Sequence, residues 1–402
     1  MTDTALRLDR EEPGFDLSIV ALTAALVGIG IVAVFSASFA KAAASSMDSF
    51  YLVKRQTFAA LLGAVAMVAV ARLNLTRVRA GAYGILGLAV VVLVAVLGLG
   101  REINGAHRWF QIGFFHLQPS EFAKLALLIA TARYVLDNPR QMKAMKGLLG
   151  PILAAVAFAF LVVIEPDLGT AVVLVLLAFL MYHFGGAKLR HLAVYAAVGM
   201  LLISIAILAE PYRRERVISW VHPHTTALGS GYQLRHSVIA LGAGGPIGRG
   251  LGESREKYSY LPAAETDCIF AIVGEETGLI GTWGLLALFG LLLWRGMATA
   301  ARAADPYHSL LGAGVTAMLL IQVILNVAVV TGLMPTKGQP LPFVSYGGSS
   351  LIFSMAAVGL LLNISRQPKR AASGRALRNG APGTRRAFMT TAAAQAGVTS
   401  GE

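Results

Sequence analysis

Long, uncharged apolar runs alternate with short polar and basic stretches along the whole chain. The runs fall at 17–39, 58–71, 80–100, 147–164, 168–187, 192–209, 277–294, 309–334 and 347–365. A membrane-spanning helix needs about 20 mostly apolar residues. Most of these runs approach that length, and the short one at 58–71 is expected to begin a turn earlier. A tenth span is expected around 122–136, interrupted by Lys124 and Arg133. The runs are continuous rather than alternating, which argues against the strands of a membrane barrel. The helix at 277–294 is expected to reach back to Asp267. That would place Glu275 and Glu276 inside the membrane, with Glu275 about 12 Å below Asp267.

Composition turns this rhythm into a class. Hydrophobic residues make up 56% of the 402 residues and charged residues 14%, with a mean hydropathy of +0.67. Soluble domains carry roughly 25% charged residues, so this chain cannot clothe a globular surface. The expected fold is an all-α integral membrane protein of about ten transmembrane helices. The net charge of +13 reads as cationic loops that orient helices and lie against anionic lipid. No nucleic-acid partner is expected. The single cysteine, Cys268, excludes an internal disulfide and a multi-thiolate metal site. No cleavable signal peptide is expected, because the first apolar run is too long and lacks a small-residue cleavage site.

Basic residues orient the helices. With both termini cytoplasmic, the inside segments hold nineteen Lys and Arg and the outside segments fourteen, seven of which lie in one long loop. Long loops carry little weight in this bias, so both ends are assigned to the cytoplasm. The expected division is a cytoplasmic N-terminal tail at 1–16, a polytopic domain at 17–365, and a basic, disordered cytoplasmic tail at 366–402. A large extracytoplasmic loop at about 210–266 separates helices 7 and 8. The stretches 101–121, 165–170, 210–267 and 331–350 are irregular, polar and glycine-rich, and all four fall on the outer face. Chemistry is expected there.

Acids near the membrane are costly and therefore functional or paired. Glu121, Glu165, Asp167, Asp267, Glu275 and Glu276 qualify by position. Lys124, Arg108 and Arg101 are available as ion-pair partners. The loop GAGGPIGRGLG at 242–252 lacks a preceding strand, so its glycines are read as tight turns rather than a dinucleotide fingerprint. His222, His224 and His236 lack a regular metal-ligand spacing, and Trp109 with Phe110, Phe114 and Phe115 reads as an interfacial aromatic belt.

Five outer-face segments, taken in order, resemble the SEDS family of bacterial shape, elongation, division and sporulation proteins. They are NGAHRWFQIGFFHLQPSEFAKL at 104–125, EPDLGT at 165–170, YQLRHSVIALGAGGPIGRGLGES at 232–254, TDCIFAIVGEETG at 266–278 and PTKGQPLPFVSYGGSS at 335–350. The resemblance covers about residues 15–366. The PTKG at 335–338 and the GEE at 274–276 look more like the division branch than the elongation branch. Cys268 stands where the family commonly has Phe, and Ala263, Ala264 and Glu265 replace a run often written Glu-Ala-His.

The resemblance implies a peptidoglycan glycosyltransferase that polymerises lipid II, an undecaprenyl-pyrophosphate-linked disaccharide-pentapeptide, at the outer face of the bacterial cytoplasmic membrane, at the division septum. It implies a class B penicillin-binding protein as partner, alongside other divisome membrane proteins. Inverting transfer onto a sugar hydroxyl needs a general base, and Asp267 is expected to supply it. Cations must meet the departing diphosphate. Arg108, Lys124, Arg235 and Lys337, with Glu121, Gln233, Ser345 and Ser349, form the expected substrate-binding set. Glu165, Asp167, Glu275 and Glu276 are expected to tune or support it. No metal site is assigned, although a divalent cation, Mg or Mn, could assist. The alternatives are a lipid II flippase and a non-enzymatic division scaffold.

Overall fold

The structure, a computed structural model, describes residues 14–45, 50–103, 106–113, 115–209, 211–221, 230–258, 261–336 and 338–367. The two expected tails lie outside these residues, apart from 14–16 and 366–367. The chain opens with α1 (Leu17–Ser45), α2 (Tyr51–Ala71), α3 (Leu75–Ala80) and α4 (Ala82–Leu99). Three short strands follow: β1 (Arg101–Ile103), β2 (Ala106–Ile112) and β3 (Phe115–Leu117). Then come α5 (Pro119–Asp137), α6 (Pro139–Lys143), α7 (Met145–Ile164), α8 (Leu168–Phe184) and α9 (Leu189–Ala209). The remainder is α10 (Pro211–Val221), α11 (Ser230–Gly244), α12 (Ile269–Arg302), α13 (Pro306–Val330) and α14 (Gly348–Ser365).

Among the described residues, α1, α2, α4, α7, α12, α13 and α14 are long and apolar enough to cross a membrane, while α8 and the apolar part of α9 are shorter. The protein is a multi-pass, essentially all-α membrane protein. α13 and α14 form its middle, being mostly buried. α5 joins them despite its charges, because it is buried along nearly its whole length and its Lys124 and Glu121 face inward. The outer helices do the opposite. Leu61 and Val65 on α2, Leu88 and Val91 on α4, and Leu153 and Phe160 on α7 stand exposed. In water such a surface would be a binding patch or an aggregation hazard; in lipid it costs nothing.

Four expectations need correcting. α2 begins at Tyr51, about two turns before the apolar run. Its early cation is met there, since Arg55 donates to Tyr51 Oη at 3.0 Å and lies 3.0 Å from His116 Nδ1. The stretch 101–117 is an antiparallel meander, ordered β1-β2-β3, and not irregular. Its sequence carries Asn-Gly at 104–105, a strong hairpin signal, and Gly113 turns the second connection with φ +61°. The large loop at 210–266 contains two helices, α10 and α11. Finally, α12 starts at Ile269 with Cys268 as its cap, so Asp267 stands in the turn before the helix and not on its first turn.

The glycine-rich stretch explains itself by contact. α12 is broken at Gly278, where φ is +67° and ψ −164°. A Cβ at Gly278 would overlap the Gly248 backbone, and one at Gly244 would overlap the Gly274 carbonyl. Two glycine pairs, each four residues apart, thus let backbone pass against backbone, as small residues do where membrane helices cross closely. The backbone groups freed by the break are reused. Arg249 N and Gly250 N donate to Glu275 O and Glu276 O, both at 3.0 Å, and Leu279 N donates to Gly245 O at 2.9 Å.

Gly278→Ala should therefore lower thermal stability, by at least the ~1–3 kcal/mol that a non-glycine residue in such a backbone region costs. The reference is Gly242→Ala, whose new Cβ meets nothing within 4 Å. Equal melting temperatures for the two variants in detergent would show that the crossing is not as tight as described.

Candidate active site at the membrane edge

Asp267 is fixed through its backbone. On α13, the Asn326 side chain donates to Asp267 O at 2.9 Å and to Gln339 O at 2.7 Å. One amide thus ties the start of α12 to the 335–345 segment. Gly338 lies directly against the carboxylate, since a Cβ there would sit 3.3 Å from Asp267 Oδ2. On its other side that segment meets the start of α8: a Cβ on Gly169 would lie 3.0 Å from Gln339 Oε1 and 3.1 Å from Gly338 O. The Asp267 side chain is partly exposed. It stands at the rim of this layer and not in its interior.

The α8 start is built around Asp167. Its side chain caps the helix by accepting from Thr170 N at 3.0 Å, the ordinary task of an N-terminal acid. The same carboxylate accepts from Gln118 Nε2 at 3.0 Å and from Ser120 Oγ at 3.4 Å, on α5 and just before it. Gln118 N donates in turn to Ser349 Oγ, which donates to His116 O at 2.6 Å. Segments near residues 118, 167, 267, 326 and 339 therefore share one polar layer.

A second assembly anchors the loop after α11. Glu275 is fully buried and accepts from Ser254 Oγ at 2.5 Å, Arg255 N at 3.0 Å and Arg249 Nη1 at 3.2 Å. Glu276, also buried, accepts from Lys257 Nζ at 2.9 Å and from Ser36 Oγ on α1 at 2.5 Å. Both acids sit on the half-helix before the Gly278 break. Buried charges of this kind are tolerable only when paired and hydrogen-bonded, and these are.

The remaining expected site residues separate by what they touch. Lys124 and Glu121 form a buried ion pair, 2.8 Å apart, within α5. Arg108 donates to Glu165 O at 2.7 Å and Pro166 O at 2.8 Å, so it holds the α7–α8 turn. Gln233 and Ser237 on α11 donate to Cys268 Sγ at 3.1 and 3.4 Å. Cys268, beside Asp267, is thus the point where α11 docks. Arg235, half-buried on the same helix, lies over the Tyr232 ring. Ser345 accepts from Leu341 N at 2.8 Å and Ser349 bridges 116 and 118, so both hold loops. His236 pairs with Glu256 at 2.6 Å. Lys337, His222 and His224 lie outside the described residues. Among the described residues no three His, Cys, Asp or Glu side chains gather to hold a metal ion. Asn326, Gln118 and Gln339 are not singled out by the sequence. An asparagine and a glutamine inside the apolar run 309–334 were the visible signal.

Two side chains at this edge are driven toward neutrality. Burial, reinforced by the Asp167 carboxylate, pushes Glu165 up to about 8, while Arg108 pulls weakly the other way. Both Glu165 oxygens are buried without a hydrogen-bond partner. Burial also lifts the Cys268 thiol to about 11, which keeps it a packing and hydrogen-bonding group and not a nucleophile.

The family model described as cell cycle protein FTSW_RODA_SPOVE matches residues 17–370. The chain is 40% identical over 354 residues to stage V sporulation protein E of Bacillus subtilis, covering 87% of this chain and 97% of that one. It is 38% identical to the probable peptidoglycan glycosyltransferase FtsW of Geobacter metallireducens, covering 90% and 97%. Among solved structures, one described as a peptidoglycan synthase complex that coordinates polymerization and crosslinking aligns with a TM-score of 0.74 at 34% identity, covering 88% of this chain and 98% of that one. The rod shape determining protein RodA of Thermus thermophilus aligns at 0.64 and 32% identity, covering 88% and 97%.

Glu165 makes a pH prediction. A carboxyl raised from 4.5 to about 8 keeps a proton in the folded protein that the unfolded chain has released. Its contribution is therefore full below pH 4.5, is lost as pH rises through about 8, and is level above that. Glu165→Gln is neutral throughout. Its melting temperature should gain steadily on the wild type between pH 5 and 8, and the gap should then stay constant. A gap independent of pH over that range would mean Glu165 is ionised in the folded protein.

Proposed function

Because the chain belongs to the FtsW/RodA/SpoVE family, we propose that it polymerises lipid II into glycan strands at the outer face of the bacterial cytoplasmic membrane, during cell division. At the coarser level its activity is that of a peptidoglycan glycosyltransferase, the activity named for several relatives about 38% identical over most of the chain. The observation that carries the finer reading is the layer around Asp267. Four motifs far apart in sequence meet there, at the edge of the helix bundle, with a carboxylate at the rim.

In this reading Asp267 takes the proton from the acceptor's sugar hydroxyl as that oxygen bonds to the donor's anomeric carbon. The bond from that carbon to the diphosphate breaks, the diphosphate leaves with the electron pair, and the configuration inverts. A base must be ionised and within hydrogen-bond reach, and the Asn326 clamp on the Asp267 backbone would fix its position. Arg235 and Lys337 are the cations proposed to meet the diphosphate. Lys124 and Arg108 would act by holding the layer, as their bonds to Glu121 and to the 165–166 carbonyls suggest. Were Mg or Mn to take part, its ligands would be the substrate's phosphates with one or two carboxylates, the usual habit of Mg. Gln233, Ser345 and Ser349 would position loops around the substrate.

The kinship to a synthase complex that couples polymerization with crosslinking supports a crosslinking partner. We assign that role to a class B penicillin-binding protein, working with other division proteins at the septum.

The test is polymerisation of labelled lipid II by the purified protein with its partner. Asp267→Asn should insert normally yet lose roughly the 10²–10⁴-fold typical of removing a general base. Asp267→Glu should keep only a small residue of activity, since the base would be displaced. Glu275→Gln should instead lower the melting temperature, because that carboxylate holds the 249–256 loop, and should cost less activity per folded molecule. Near wild-type polymerisation by Asp267→Asn would remove Asp267 from the mechanism.

A further inference from the structure

A second feature lies in the opposite half of the bundle. α5 and α8 begin at the Asp267 edge, whereas α4 and α7 run toward it, so the C-terminal part of α5 and the N-terminal parts of α4 and α7 lie at the far end. Between them opens a crevice of about 520 Å³, lined by Tyr83, Leu86, Ala130, Tyr134, Ala154 and Phe158 among others. That volume is in the range of small-ligand sites. Its walls are almost wholly apolar, and it opens beside the lipid-exposed residues Leu149, Leu153 and Val156 of α7.

The mouth is different. Arg133 lies 4.6 Å over the ring of Tyr83, a lining residue, and donates to Arg79 O and Ala80 O at 3.0 and 2.7 Å. Tyr134, also lining, donates to Gln141 Oε1 at 2.6 Å. Arg140, Lys143 and Lys146 stand exposed on the connector and first turn that join α5 to α7. Asp137, the last residue of α5, pairs with Arg79 and Arg133 at 3.3 Å each, and the 138–147 connector itself contains no acid. An apolar slot, a pair of tyrosines at its rim and a surplus of positive charge just beyond them match, in order, an acyl chain, an interfacial zone and a phosphate headgroup.

We propose that this crevice is a binding site for an anionic phospholipid, separate from the polymerising site. The chain enters between α4, α5 and α7, and the phosphate is held by Arg140, Lys143 and Lys146. The charge surplus is what selects the occupant. A zwitterionic lipid would fill the slot equally well and gain nothing at the mouth.

The experiment uses the full protein in nanodiscs with photoreactive phosphatidylglycerol or phosphatidylcholine, the label carried on the acyl chain and mapped by peptide mass spectrometry. Phosphatidylglycerol should label the lining segments of α4, α5 and α7 preferentially, by about fivefold for each cation in reach, the ratio equivalent to ~1 kcal/mol. Lys143→Glu with Lys146→Glu should abolish that preference while leaving some labelling. Gly150→Leu should remove labelling from both lipids, since Gly150 lines the slot and a Cβ there meets nothing within 4 Å. Ala154→Phe should do the same from the next turn, and agreement between the two fillings separates an occupied slot from a misfolded one. Equal labelling by the two lipids would overturn the proposal. So would labelling unaffected by either filling.

Discussion

The Asn326 amide holds two backbone carbonyls that the membrane could not serve. Lipid offers no hydrogen bonds, so each polar group below its surface must find a partner within the protein. Asp267 O and Gln339 O belong to non-helical segments, where the backbone has no helical ladder to fall back on, and one side chain answers both. Everything at the active edge follows from that clamp. The 338–339 backbone is pressed against the Asp267 carboxylate on one face and against Gly169 on the other, and α8 then sets Asp167 where Gln118 can reach it. An irregular layer is tolerated here because it is closed on itself.

The same constraint shapes the broken α12. Opening a helix at Gly278 frees carbonyls and amides at membrane depth, and the irregular 245–250 stretch takes them up bond for bond. Glycine is required for that contact on both sides, which is why the stretch reads like a nucleotide fingerprint without being one. Glu275 and Glu276 then fasten the loop that follows, to Arg249 and Ser254 on one side and to Lys257 and Ser36 on the other. Replacing such pairs by apolar residues could leave stability unchanged, but it would release the loop. Their value is in geometry.

Hydrophobic runs made most of the helices legible, because length and continuity are enough to mark a segment that lipid will accept. α5 is legible at 122–136 in spite of its charges, and Lys124 enters the bundle because Glu121 neutralises it. Two features escaped for physical reasons. The early start of α2 depends on Arg55 finding Tyr51 and His116, a contact 61 residues away for the latter. α10 and α11 lie in a region whose polar composition looks like loop, and α11 is held by its docking at the start of α12, where Gln233 and Ser237 reach Cys268. The site was readable as a list of motifs, and as a list it favoured cations. What joins the motifs, Asn326 and Gln118 above all, is uncharged, and nothing in one sequence says which buried amide will face which carbonyl.

Charge accounting at the active edge gives the final step. In the proposed reaction a dianionic leaving group approaches a rim dense in acids, and unanswered carboxylates there would repel it. Asp167 is met by the α8 amide, Gln118 and Ser120. Glu121 is met by Lys124, Glu275 by Arg249 and Glu276 by Lys257. Glu165 has no such partner, and burial together with the Asp167 charge keeps its proton on to about pH 8. Neutral Glu165 therefore adds no negative charge next to Asp167. Environments that separate acids in this way let chemically similar side chains take different roles. Under the proposed mechanism the edge would hold a base at its rim while presenting little net repulsion to an anionic substrate. Under that mechanism Glu165 would serve by being buried and uncharged.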